Sequence, residues 1–232
     1  MSLQWEELGR LKRDLHEISS QINSCEYSLL NSLMRQVEFK QFDSLPDHLA
    51  QAIANDADLL VTNSRGETIM DVVIHALRVG AGISAAYSGV LIESLVQVQN
   101  KVEKSLSWEH LETLENEYAA LSTHVEHTDQ VEYLQGKIKA YKHAWMRYII
   151  RQVEFKEFDR LARNIAEAIY HNLDFSTTNP KGQNILYVLE HALTPRGLVR
   201  VTEEDARLLL DCLCKVQLHN DMQAEVHARL HP

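Results

Sequence analysis

The feature that most constrains this chain is an internal repeat. Arg35-Gln36-Val37-Glu38-Phe39-Lys40-Gln41-Phe42-Asp43 recurs as Arg151-Gln152-Val153-Glu154-Phe155-Lys156-Glu157-Phe158-Asp159, with only the seventh residue changed. Carried without a gap to Leu77 and Leu193, this 116-residue offset gives 21 identities in 43 positions, against about 6% expected by chance from average composition. Past Leu77 the copies differ in length and realign at an offset of 118, where Leu91-Ile92-Glu93-Ser94-Leu95 faces Leu209-Leu210-Asp211-Cys212-Leu213. The extra residues fall near Thr194-Pro195-Arg196-Gly197, a loop by its turn chemistry. A tandem duplication of this kind folds as two similar units, here residues 1–106 and 107–232, or as one domain built from both.

The repeated unit is helical. Apolar residues in the first copy run Leu8, Leu11, Leu15, Ile18, Ile22, Cys25, Leu29, alternating steps of three and four as a helix with one narrow buried stripe requires. The second copy runs Val131, Leu134, Ile138, Tyr141, Trp145, Ile149 in the same phase, so both copies open on a long amphipathic helix and the two stripes are fit to pack on each other. Eight glycines and four prolines in 232 residues leave long helices uninterrupted. Capping-box spacings at Asp129/Glu132 and Thr202/Asp205, and Ser107 before an acidic turn, mark helix starts. The pattern predicts helices over 4–40, 44–55, 67–78, 84–104, 108–126, 130–157, 160–171, 183–193, 203–218 and 221–230, with no strand. The fold class is all-α, each copy a long helix followed by helical hairpins.

Between the second and third helices of each copy lies the most informative loop. It reads Asp58-Leu59-Leu60-Val61-Thr62-Asn63-Ser64-Arg65-Gly66-Glu67-Thr68-Ile69-Met70, and again Asp174-Phe175-Ser176-Thr177-Thr178-Asn179-Pro180-Lys181-Gly182-Gln183-Asn184-Ile185-Leu186. Asn63 and Asn179 can bond the backbone ahead of them, Gly66 and Gly182 can take positive φ, and Thr68 or Asn184 can cap the next helix. The spacing of Asp58, Asn63, Gly66, Thr68 and Met70 resembles the ankyrin repeat. The second copy matches it with Asn184 in the Thr position, and the family's Pro and His are replaced by Ile69 and Asp71 in the first copy and by Ile185 and Tyr187 in the second. The resemblance covers about residues 30–100 and 146–218 and implies ankyrin-like helical hairpins, a scaffold that recognises proteins and carries no catalysis of its own. It is also similar in style to effector proteins that intracellular bacteria deliver into host cells.

Retained apolar pairs, Val37/Val153, Phe39/Phe155, Phe42/Phe158, Leu45/Leu161, Ala52/Ala168 and Val72/Val188 among them, read as core. Retained polar positions are the candidate binding residues: Arg35, Glu38 and Lys40, and Arg151, Glu154 and Lys156, with Arg65 and Lys181 at the loop tips. Their bland reading is an intrahelical Arg–Glu pair followed by Asp43 or Asp159 as a helix cap. His75 and His191, late in their helices, fit carbonyl bonding or a dipole contact.

No catalytic constellation, phosphate loop or cofactor motif is legible, so no catalytic residue, cofactor or metal is assigned. His124-Val125-Glu126-His127 lacks the i, i+4 spacing of zinc helices, and the side chains of Cys212 and Cys214 diverge by about 200° on a helix, so both read as core cysteines. An excess of ten acids disfavours nucleic acid, and no apolar run reaches membrane-span length. Three cysteines, Cys25, Cys212 and Cys214, cannot all pair, which suits a reducing cytoplasm, that of the producing cell or of a host. The sequence therefore reads as a non-enzymatic protein-interaction module. The alternatives are a helical scaffold that homodimerises through its long helices, or a helical enzyme with a site between the halves.

Overall fold

The computed structural model describes residues 2–79, 83–123, 128–197 and 201–230. Among them the chain is all-α, with α1 (Ser2–Glu38), α2 (Leu45–Ala54), α3 (Ile69–Val79), α4 (Ala85–Ser105), α5 (Trp108–Leu121), α6 (Thr128–Phe155), α7 (Leu161–Tyr170), α8 (Ile185–Ala192) and α9 (Glu203–Leu230). The β-pairing among them amounts to one isolated antiparallel bridge between Thr178 and Asn184.

Local chemistry sets the helix ends. Ser107 accepts a hydrogen bond from the His110 N–H at the start of α5, and Asn184 accepts from Tyr187 N–H at the start of α8. Thr68 with Asp71, and Thr202 with Asp205, exchange reciprocal hydroxyl, carboxylate and backbone bonds as capping boxes do. At their other ends, α1, α2, α6 and α7 stop on a residue with positive φ: Lys40 at 58°, Asp56 at 57°, Lys156 at 61° and Asn172 at 51°. Each is the turning point of a Schellman cap, seen for α1 in the bonds from Gln41 N–H to Gln36 carbonyl and from Lys40 N–H to Val37 carbonyl.

Several expectations change. Asp43 and Asp159 do not cap: the N-cap of α2 is Ser44 and that of α7 is Arg160, neither with a side-chain bond. Asp43 instead accepts from the Tyr87 hydroxyl at 3.2 Å. The helices expected at 203–218 and 221–230 are one, because nothing between them removes a backbone donor or frees φ. α5 ends at Leu121 rather than near 126. α6 begins at Thr128, and the Asp129 side chain of the Asp129/Glu132 pairing lies outside the described residues.

The chain divides into two compact units, Met1–Val102 and Glu103–Pro232. In the first, α1 packs on α2 and α3, burying Leu30, Leu33, Met34 and Val37 against Phe42, Leu45, Leu49, Ile69 and Val73. The earlier stretch of α1 stays uncovered: Leu11, Leu15, Ile18, Ile22 and Leu29 are all more than half exposed. In the second unit α6 packs on α5, α7 and α8, and α9 on α7 and α8. The apolar stripe of α6 is buried there, with Leu134, Tyr141, Trp145 and Ile149 at 6% exposure or less. The two stripes, alike in sequence, thus have different surroundings within their own units: α5 lies on the second, and the described residues of the first are exposed.

Two readings of the core are corrected. Phe39 and Phe155 are 71% and 65% exposed, because each sits at the edge of its helix's last turn while Val37 and Phe42, or Val153 and Phe158, take the interior sites. Cys212 is buried but Cys214 is exposed, as their divergence on one helix requires; Cys25 is exposed too.

Candidate functional site

The same groove is built twice, once in each unit, from corresponding residues. In the first unit the end of α1, the Asn63–Glu67 turn and α3 enclose about 320 Å³ lined by Val37, Glu38, Lys40, Phe42, Arg65, Glu67, Val72, His75 and Ala76. In the second, the end of α6, the Asn179–Gln183 turn and α8 enclose about 330 Å³ lined by Val153, Glu154, Lys156, Phe158, Lys181, Gln183, Val188, His191 and Ala192. The register is 116 at every one of these positions.

The turn fixes the groove wall. Asn63 Oδ1 accepts from the N–H groups of Arg65 at 2.9 Å and Glu67 at 3.0 Å, and Gly66 turns the chain at φ 73°. Asn179 Oδ1 does the same for Lys181 and Gln183, both at 3.0 Å, with Gly182 at 79°. Asn63, Gly66, Asn179 and Gly182 are therefore the structural turn residues expected of them. The turn aims the tip cation back at the helix. Arg65 pairs with Glu67 at 2.7 Å and with Glu38, and Lys181 Nζ meets Glu154 at 2.9 Å. The hydrogen bond and charge of Glu67 first, then the charge of Glu38, hold the Arg65 guanidinium above its ordinary value.

Lys40 and Lys156 stand at the rim on strained backbone, since a left-handed conformation opposes any residue with a Cβ. Lys156 Nζ donates to the Gly197 carbonyl at 3.2 Å. Gly197 itself is required by close packing: a Cβ there would lie 2.4 Å from the His191 carbonyl oxygen. That contact holds the inserted loop against α8 and brings Arg196 to the groove.

The two grooves differ in charge. The first has two acids, Glu38 and Glu67, against Lys40 and Arg65. The second has Glu154 alone against Lys156, Lys181 and Arg196, because Gln183 stands for Glu67 and the insertion adds a base.

Of the eight candidate binding residues, six line these grooves: Glu38, Lys40 and Arg65, and Glu154, Lys156 and Lys181. Arg35 and Arg151 do not, and the expected Arg–Glu pairing within the helix is replaced. Glu38 and Glu154 turn to the loop cations, while Arg151 pairs with Glu103 and lies 5.3 Å from the Phe155 ring. His75 and His191, read from sequence as helix-end residues, also line the grooves, and His191, in the last turn of α8, stacks on Tyr187 at 6.2 Å. A usable signal existed: Val72, His75 and Ala76 are identical to Val188, His191 and Ala192 and form one helix face.

Among the described residues no group of three or more His, Cys, Asp or Glu is placed to hold a metal; His124 and His127 lie outside them. No helix of the described residues is long and apolar enough to cross a membrane. Comparison with family models, curated proteins and solved structures gives no match to this chain.

Proposed function

We propose that this chain is a non-enzymatic protein-interaction module that takes a peptide segment of a partner in each of its two grooves. The observation that carries the reading is the groove built twice: an apolar floor of Val, Phe, Val and Ala, and a polar rim of Glu, Lys, His and a loop-tip cation, at corresponding positions. A floor of this kind takes an apolar side chain, and the rim supplies donors and acceptors for a peptide backbone. Lys40 and Lys156 support a role for the rim. Both grooves keep a lysine at the left-handed turning point of the helix cap, where glycine would relieve the strain. The helix order supports the ankyrin-like reading: α6 and α7 form one pair and α8 and α9 the next, with α6 beside α8 and α7 beside α9, as stacked hairpins are.

The test is selection of a displayed random-peptide library on the purified chain, followed by fluorescence polarisation of enriched peptides. Combining Arg65→Glu with Lys181→Glu is expected to weaken the selected peptides by about tenfold or more without changing far-UV circular dichroism. Peptides that ignore both reversals would take the grooves out of the proposal, and failure to enrich any would remove peptide recognition.

A further inference from the structure

A second surface, separate from the grooves above, is defined by what covers its counterpart. In the second unit α5 lies on the face shared by α6 and α7, anchored at one side chain. Trp108 stacks on Trp145 of α6 at 3.8 Å between ring centroids and on His171, just past α7, at 5.5 Å. Its Nε1–H donates to Asn164 Oδ1 at 3.2 Å, and Asn164 Nδ2 donates onward to Gln152 Oε1 at 2.9 Å. Seven residues along, Glu115 meets Lys142 Nζ and His171 Nδ1, each at 2.7 Å. Beneath α5, Trp145, Gln152, Asn164 and His171 are buried to 6% exposure or less.

At the 116-residue offset the same face exists on α1 and α2. Leu29 stands for Trp145, Gln36 for Gln152, His48 for Asn164, and Asn55 for His171. The polar pair is kept: Gln36 and His48 are hydrogen-bonded at 3.0 Å, as Gln152 and Asn164 are. No helix of the first unit lies on it among the described residues. Leu29 is 62% exposed, and His48 and Asn55 are exposed as well. The face opens into a cavity of about 370 Å³ over Leu29, Leu33 and Ala52.

We propose that this α1–α2 face docks an amphipathic helix of a partner protein, seated as α5 is seated in the second unit. The chemistry of the occupant follows from the residues that differ. Its anchor is a large apolar or aromatic side chain over Leu29, with Gln36 and His48 presenting a hydrogen-bonding edge like the one Trp108 uses. Where α5 has Glu115, the occupant has Lys or Arg, because Lys142 is replaced by Glu26 and His171 by the uncharged Asn55. An acid there would meet an acid. The mode is a helix in a groove, recognised through an anchor and a charge two turns away.

The experiment titrates the full chain with two labelled peptides of residues 106–122, one native and one carrying Glu115→Lys. The Glu115→Lys peptide is expected to bind about tenfold tighter than the native one. Leu29→Glu in the chain, at a side chain already in solvent, should abolish its binding, and Glu26→Lys should invert the preference between the two. A peptide that competes for the α6–α7 face instead would be insensitive to both substitutions, and that result, or binding of neither peptide, overturns the proposal. Concentration-dependent self-association abolished by Leu29→Glu would make a second copy the occupant and overturn it equally. Arg65→Glu and Lys181→Glu leave the peptide titration unchanged, so this test stands or falls apart from the twin grooves.

Discussion

Trp108 and Trp145 lie face to face, 3.8 Å between centroids and 10° from parallel, and join the start of α5 to the middle of α6. Trp108 is 7% exposed and its indole N–H meets the buried Asn164. Trp108→Ala removes the stack and opens a cavity, so the urea midpoint of the second unit should fall by an equivalent of about 3–5 kcal/mol. Trp108→Phe keeps the apolar bulk but leaves Asn164 Oδ1 without its donor, and should cost about 1–3 kcal/mol. Equal losses for the two variants would mean that the hydrogen bond, not the packing, holds α5.

What was legible in the sequence was what local chemistry decides. The Asn63 and Asn179 turns, the caps at Ser107, Thr202 and Asn184, and the apolar stripes all follow from neighbours a few residues apart. What was not legible depends on distant partners. Glu38 has Arg35 one turn behind it and Arg65 across a loop, and only the fold decides that the loop cation takes it. The stripes of α1 and α6 look alike because periodicity records that a face is apolar, not what lies on it. Phe39 and Phe155 are exposed for a related reason: a helix's phase stops predicting burial once the chain turns at Lys40 or Lys156.

Lys40 offers a direct test of strain retained for binding. Lys40→Gly relieves a left-handed φ of 58°, and should raise stability by about 0.5–1 kcal/mol, the relief being offset in part by the freer unfolded chain. The same variant should weaken peptides selected on the groove. Greater stability with unchanged peptide affinity would separate the strain from any role in recognition.

Cysteine labelling probes the burial of α9. Burial, and then the charge of Asp211, push the Cys212 thiol up to about 11, so at pH 8 it is both covered and un-ionised. Cys25 and Cys214 are exposed. Titration of the native chain with a disulfide reagent should modify two thiols promptly and the third only after denaturant is added. Prompt reaction of all three would show α9 detaching from α7 and α8 on the timescale of labelling.

Glu115 links the seating of α5 to pH. Burial raises its carboxyl, but hydrogen bonds from Lys142 and His171 outweigh that and leave it below its ordinary 4.5. A group whose pKa is depressed on folding stabilises the fold above the unfolded value, and that stabilisation disappears as pH falls through the folded value. The wild type should therefore lose stability on acidification below about pH 4.5 more steeply than Glu115→Gln, which has no proton to take up there. At pH 7 the variant should be the less stable of the two, and the gap should close toward pH 3. Thermal melts at half-unit pH intervals measure the difference. Parallel curves for the two proteins across that range would show that the Lys142–Glu115–His171 cluster does not hold α5 in place.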